Sequence, residues 1–216
     1  MRALVLTTRF REGAFEGEAC LLVYDAVTLS GSLIGDDVRD ILDRRPNTPR
    51  IFVLAPFLSL SDVTDALKAG VAVQRAGAVP SAGELAAVGM HVSAEGRADV
   101  FSRAYTLRNG MTVGGDERRL PDELRQGWLF DLFDTHRGRV DAPAGVHFGK
   151  ASGKHCEKFL RTSSVLLSTA ACAVIGFFAL AATGVQEPRR IFVDTAPLLS
   201  VAFAMERVAA TLGFPD

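Results

Sequence analysis

Residues 145–161 read GVHFGKASGKHCEKFLR, and how this run is taken decides how the rest of the chain is divided. A Ser-Gly-Lys core (Ser152, Gly153, Lys154) lies between Phe148 and the Phe159–Leu160 pair. Lys150, Lys154, Lys158 and Arg161, with His155 among them, gather cations within twelve residues. Glycine lets a backbone come close to an anion, and free N–H groups with nearby cations then hold it. Composition alone allows a basic, solvated loop ahead of a helix. The order of small, cationic and aromatic residues points instead to a ligand.

The whole chain bounds what such a site could serve. Its 216 residues make one large domain or two small ones. With 48% apolar and 23% charged residues there is enough material for a real core. A net charge of −1 excludes a general nucleic-acid binder, which needs a broad basic surface. Cys20, Cys156 and Cys172 are odd in number and lack a C-x-x-C spacing, the pattern of free thiols in a reducing cytoplasm. Met1–Phe10 reads as a strand without a cleavage site, so no signal peptide is expected. Thr162–Gln186 carries no charge and is long enough to span a bilayer. Its serines, threonines and alanines make it only mildly hydrophobic, as a helix buried in a soluble α/β domain is. A cytoplasmic, soluble protein is the expectation and a membrane tether the competing one.

Upstream of the run, strand and helix signals alternate. Arg2–Thr7, Ala19–Asp25, Arg50–Ala55 and Val71–Arg75 are short apolar runs of the kind buried parallel strands have. Asp36–Arg44 carries Val38, Ile41 and Leu42 on one helical face. Ser61-Asp62 caps a second helix that stops at Gly70, and Ser81 with Glu84 forms a capping box for a third over Ser81–Val88. The alternation implies an α/β fold with a parallel sheet covered on both faces over residues 1–95. Gly110, Gly114, Gly115, the charges of Asp116–Arg119 and Pro121 mark 96–120 as a linker. A second unit over 121–216 begins with a helix, Asp122–Phe133. Its apolar face (Leu124, Trp128, Leu129, Leu132, Phe133) is expected to pack on the remainder of that unit, with Trp128 in the core. After the basic run come the apolar stretch Ser163–Gly184, a strand-like Arg190–Asp194 and a helix-like Leu198–Leu212.

These residues carry two resemblances. CLLVYD (20–25), DDVRDIL (36–42), TPRIFVLAP (48–56), SDVTDALKAGV (61–71) and VPSAGEL (79–85) make residues 1–95 look like a degenerate response-regulator receiver domain. In that resemblance Asp25 stands at the phosphoacceptor position. Thr7-Thr8 replace the acidic pair that holds Mg²⁺, and Val79 replaces the lysine before Pro80, so structure or docking is implied rather than phosphotransfer.

The run HFGKASGKHCEKFLR resembles the N-terminal signature of orotate phosphoribosyltransferases, in the type I phosphoribosyltransferase family. The resemblance covers roughly residues 145–216 and implies the front part of such a domain. Its implied ligands are phosphoribosyl pyrophosphate and a pyrimidine-like base such as orotate, with Mg²⁺ as cofactor. That chemistry needs cations and N–H groups around a departing pyrophosphate, a metal to bridge it, and a flat apolar slot for the base. By resemblance Lys154 would face the phosphates, Phe159 with Leu160 would wall the base slot, and His155 would support either. Lys150, Ser152 and Gly153 complete the implied substrate-binding set. No catalytic residue and no metal ligand of the protein is assigned.

The sequence departs from the family in three places. Ala151 stands where the family often has lysine. Asp194–Ser200 lacks the glycine-bearing pyrophosphate loop, and no Thr-Gly-rich loop for a ribose phosphate comes after it. Catalysis is therefore expected to depend on further residues. The alternative expectation is a non-catalytic regulatory or protein-interaction module of two degenerate α/β units. An open sheet edge would favour pairing with another chain, as a homo-oligomer or with a protein partner.

Overall fold

The computed structural model describes residues 4–10, 17–24, 31–44, 50–54, 64–65, 67–68, 84–92, 98–108, 111–149, 152–183 and 191–211. Asp25, Lys150, Ala151, the expected strand Val71–Arg75 and the expected caps Ser61 and Ser81 lie outside the described residues.

Six strands form one sheet in chain order: Leu4–Phe10 (β1), Gly17–Val23 (β2), Arg50–Leu54 (β3), Glu84–Val92 (β4), Ala98–Arg108 (β5) and Met111–Arg119 (β6). The fold is α/β, but the sheet is parallel only at its centre. β2, β3 and β4 run parallel, while β1 is antiparallel to β2, β5 to β4 and β6 to β5. Connection length explains the mixture. A parallel pair needs a crossover, and the helix Gly31–Arg44 (α1) supplies one between β2 and β3. Only residues 11–16 separate β1 from β2, and only Asn109-Gly110, a two-residue hairpin sequence, separates β5 from β6.

Two sequence expectations are corrected here. Residues 98–119, read as a linker, are the strands β5 and β6, so one sheet takes strands from both sides of the expected boundary at 95–96. Residues 84–92, read in part as a helix, are the strand β4. The capping box is a local preference. Placement beside β3 and β5 buries Leu85, Ala86, Val88 and Met90, and that burial overrides it.

Strand alternation divides the central residues between two faces. Ala19, Leu21, Val23, Phe52, Ala86 and Val88 share one core with the helices that come after the sheet. Cys20, Leu22, Ile51 and Val53 point the other way. On that side Tyr24 donates its hydroxyl to Asp37 of α1 at 2.8 Å. Glycine matters at β4, where Phe101 of β5 lies over Gly89 in the space a side chain would take.

The helix Asp122–Thr135 (α2) buries Leu124, Trp128 and Leu132, spaced one turn apart. It lies against the six-stranded sheet and not only against the later helices. Trp128 is fully buried, meets the Phe52 ring edge-on at 5.2 Å, and donates its indole N–H to the Ala19 carbonyl at 3.4 Å. Asp131 accepts the N–H of Thr7 on β1. Gly127 sits over Thr8 with no room for a Cβ.

The apolar stretch after the basic run breaks at Leu166–Ser168 into a short helix, Thr162–Val165 (α3), and a longer one, Thr169–Thr183 (α4). α4 is buried by joining the sheet core through Val174, Phe177, Phe178 and Leu180. Among the described residues no helix is long and apolar enough to cross a membrane. The last helix, Leu199–Thr211 (α5), packs on α4 where Gly176 meets Ala204. Ile191–Val193, expected to be strand, has no regular structure and no pairing partner among the described residues.

Each face of the sheet can be tested. On the α2 side, Gly127→Ala gains about 1 kcal/mol of helix propensity. It also forces a methyl into Thr8, a strain of about 2 kcal/mol. A net loss in urea denaturation is expected, and adding Thr8→Ala should shrink it.

On the other face, burial first, and the adjacent Asp37 carboxylate second, push the Tyr24 phenol above its ordinary value of 10.0. The folded state therefore holds this proton more tightly than the unfolded one. The resulting stability is complete below about pH 10 and falls as pH rises beyond it. Between about pH 8 and pH 11 the wild type should lose stability more steeply than Tyr24→Phe. Equal slopes would remove Tyr24 as the cause.

Candidate ligand-binding hairpin

The basic run folds as a hairpin standing on a second, two-stranded ladder. α2 ends in a turn where Arg137 takes a positive φ of 52° and the Gly138 N–H returns to the Phe133 carbonyl at 2.6 Å. Gly138 is needed there because Val165, Phe133 and the Arg161 carbonyl fill the space around its Cα. The chain leaves this turn as Arg139–Asp141 (β7), which pairs antiparallel with Lys158–Leu160 (β10). Arg161 N–H to Gly138 carbonyl (2.6 Å) and Ala142 N–H to Glu157 carbonyl (2.7 Å) extend the ladder at both ends.

Between these strands the chain turns at Pro143–Val146, with the Val146 N–H on the Pro143 carbonyl at 2.9 Å. Phe148–Gly149 (β8) then pairs with His155–Cys156 (β9). Ser152, Gly153 and Lys154 lie in the loop closing this hairpin and are all exposed. Gly153 has φ +75° and nothing within 4 Å of where a Cβ would stand, so its backbone faces open space.

Side chains meet within the hairpin and between it and the β7–β10 ladder. Phe148 and Phe159 meet as a tilted pair, ring centres 5.8 Å apart. One step beyond the Phe148–Cys156 pair, His147 Nε2 lies 3.7 Å from Glu157 Oε1. The His147 and His155 rings are 6.3 Å apart, edge to face. Lys154, His155 and Lys158 are exposed, whereas Arg139 is held by Asp134 at 3.2 Å.

Of the residues singled out from the sequence, Ser152, Gly153, Lys154 and His155 thus share one hairpin, and Phe159, on β10 of the other ladder, stands beside Phe148. Leu160 is next to Phe159 on a strand, so the two point to opposite faces and do not wall one slot together. Sequence reasoning misses the pairing of His147 with Glu157 and of Phe148 with Phe159. The available signal is the near-symmetric spacing of 147–149 and 155–157 about Ser152. Among the described residues, no group of three or more His, Cys, Asp or Glu side chains is placed to hold a metal ion. Compared with known proteins, the chain matches no family model, no curated protein and no solved structure.

The left-handed backbone at the loop makes a local prediction. Gly153→Ala should cost about 1 kcal/mol of hairpin stability. Gly149→Ala, equally uncrowded but not at positive φ, should cost much less. Amide hydrogen exchange at Gly149 and Cys156 reads the difference, and equal exchange in both variants would contradict it.

Proposed function

We propose that the β8–β9 hairpin is an anion-binding element of a phosphoribosyltransferase-related protein, taking phosphoribosyl pyrophosphate and a flat pyrimidine-like base. The observation that carries the reading is an exposed hairpin loop with Lys154 and an open Gly153 backbone, standing beside the pair that Phe148 of β8 makes with Phe159 of β10. A lysine ammonium and free N–H groups suit a phosphate, and an accessible aromatic face suits a planar base. Phe159 is 46% exposed, so its ring is reachable. Mg²⁺ would enter chelated by the diphosphate and supply charge neutralisation there; the hairpin's own contribution is cationic and aromatic. The proposal is binding, and catalysis would draw on groups beyond this hairpin.

A second reading is an interaction module. It is favoured by the exposed bulky side chains Leu167, Phe192 and Phe203 on and near α4 and α5.

The test is calorimetric titration of the full chain with phosphoribosyl pyrophosphate and Mg²⁺, and then with orotate. Loss of a charge-assisted contact in Lys154→Ala should weaken phosphoribosyl pyrophosphate binding about tenfold or more. Phe159→Ala should weaken the base step with less effect on the first. A flat titration from folded protein overturns the binding reading and leaves the interaction module.

A further inference from the structure

The hairpin carries a group that a simple anion site would not need. Glu157 places a carboxylate among the lysines, within ion-pairing distance of His147 at 3.7 Å, and His147 in turn faces His155 at 6.3 Å between ring centres. His147 is 47% exposed and Glu157 78%, so both side chains are open to water. The other charged groups on the two short ladders are Asp141 opposite Lys158, Arg139 opposite Leu160, Lys154 beside His155, and Arg161. Imidazole is the side chain whose ordinary charge change falls near neutrality.

We propose that His147, His155 and Glu157 make anion binding at this hairpin proton-linked. With both imidazoles neutral, the Glu157 carboxylate stands unneutralised beside the site and repels an approaching anion. With both protonated, His147 offsets Glu157 and His155 adds a cation next to Lys154. Two imidazolium groups 6.3 Å apart also repel one another, and an anion seated against them relieves that repulsion. Binding and proton uptake therefore favour each other. This inference deepens the anion-binding reading above and rests on it.

Sulfate is a suitable probe, because its own charge does not change through the range while a phosphate ester's does. Its affinity for the full chain is read by NMR at about pH 5.5 and about pH 8.0, where imidazole charge differs most. Sulfate should bind about three- to tenfold more tightly at the lower pH. The pH dependence should vanish in the His147→Gln, His155→Gln double variant, which keeps His91 and His136 as internal controls. Glu157→Gln should raise affinity at the higher pH. Circular dichroism melting confirms that each variant is folded. Equal sulfate affinity at both pH values, or an unchanged pH dependence in the double variant, overturns the proton linkage. If Lys154→Ala still weakens binding in that case, the anion site itself stands. Absence of binding by both sulfate and phosphoribosyl pyrophosphate overturns the two readings together.

Discussion

The burial of Trp128 is the constraint on which the arrangement depends. Its indole packs edge-on to Phe52 at the parallel centre of the sheet and finds a backbone acceptor at Ala19 on β2. Burying an indole N–H without such a partner is costly. This pair of contacts fixes both the rotation of α2 and its position along the strands. Truncating a fully buried tryptophan typically costs about 3–5 kcal/mol, a large share of the stability of a domain. Once α2 is seated, its C-terminal turn at Arg137–Gly138 sets where β7 starts. That turn also anchors β10, through the Arg161 N–H on the Gly138 carbonyl. The hairpin with the cations is thus held at a defined place by the end of α2.

The two edges of the sheet are treated differently. α2 lies along β1, and Asp131 takes up the Thr7 N–H. At the other edge β6 has no strand beyond it among the described residues. Its second half, Asp116-Glu117-Arg118-Arg119, is exposed on both faces, with Glu117 tied back to Arg103 at 2.8 Å. The register of β5 against β6 also shifts between Arg103 and Tyr105. Dense charge and a bulge beside an edge strand work against pairing with another chain. The sheet edge is therefore a poorer place for a partner than the apolar side chains around α5.

Much of the framework is legible in the sequence. Short apolar runs identify β1, β2 and β3. The helical spacing of Leu124, Trp128, Leu129, Leu132 and Phe133 identifies α2, with Leu129 and Phe133 only partly buried, and α5 matches the helical spacing of Leu198–Leu212 closely. The failures lie where local chemistry and tertiary burial disagree. Ser81 and Glu84 look like a capping box, but Leu85–Met90 is apolar enough to fill a gap between β3 and β5, and burial over a whole strand outweighs one cap. Gly114, Gly115 and the charges after them look like a linker because β6 is an exposed edge strand that needs no apolar face. Asn109-Gly110 is the signal that contradicts the linker, since it joins two strands in two residues. Strand order is less accessible, because it depends on which helix covers which face. Within the candidate site, residue types can be read from the sequence but not their pairings.

The hairpin's exposure is consistent with this division of labour. Phe159, Leu160 and Val146 are large apolar residues left in water, and none of them joins the core. A core position is chosen for packing and leaves little freedom for chemistry; an exposed hairpin held at its base leaves its tip free to meet a ligand. The two hydrogen bonds that extend the β7–β10 ladder order the base, while the Gly153 backbone and the Lys154 side chain stay open. Flexible lysines alone would hold an anion weakly and without preference. Phe148 against Phe159 and His147 against Glu157 add an aromatic pair and a carboxylate–imidazole contact to the hairpin and its base. These paired contacts, more than the number of cations, separate the hairpin from an ordinary solvated loop.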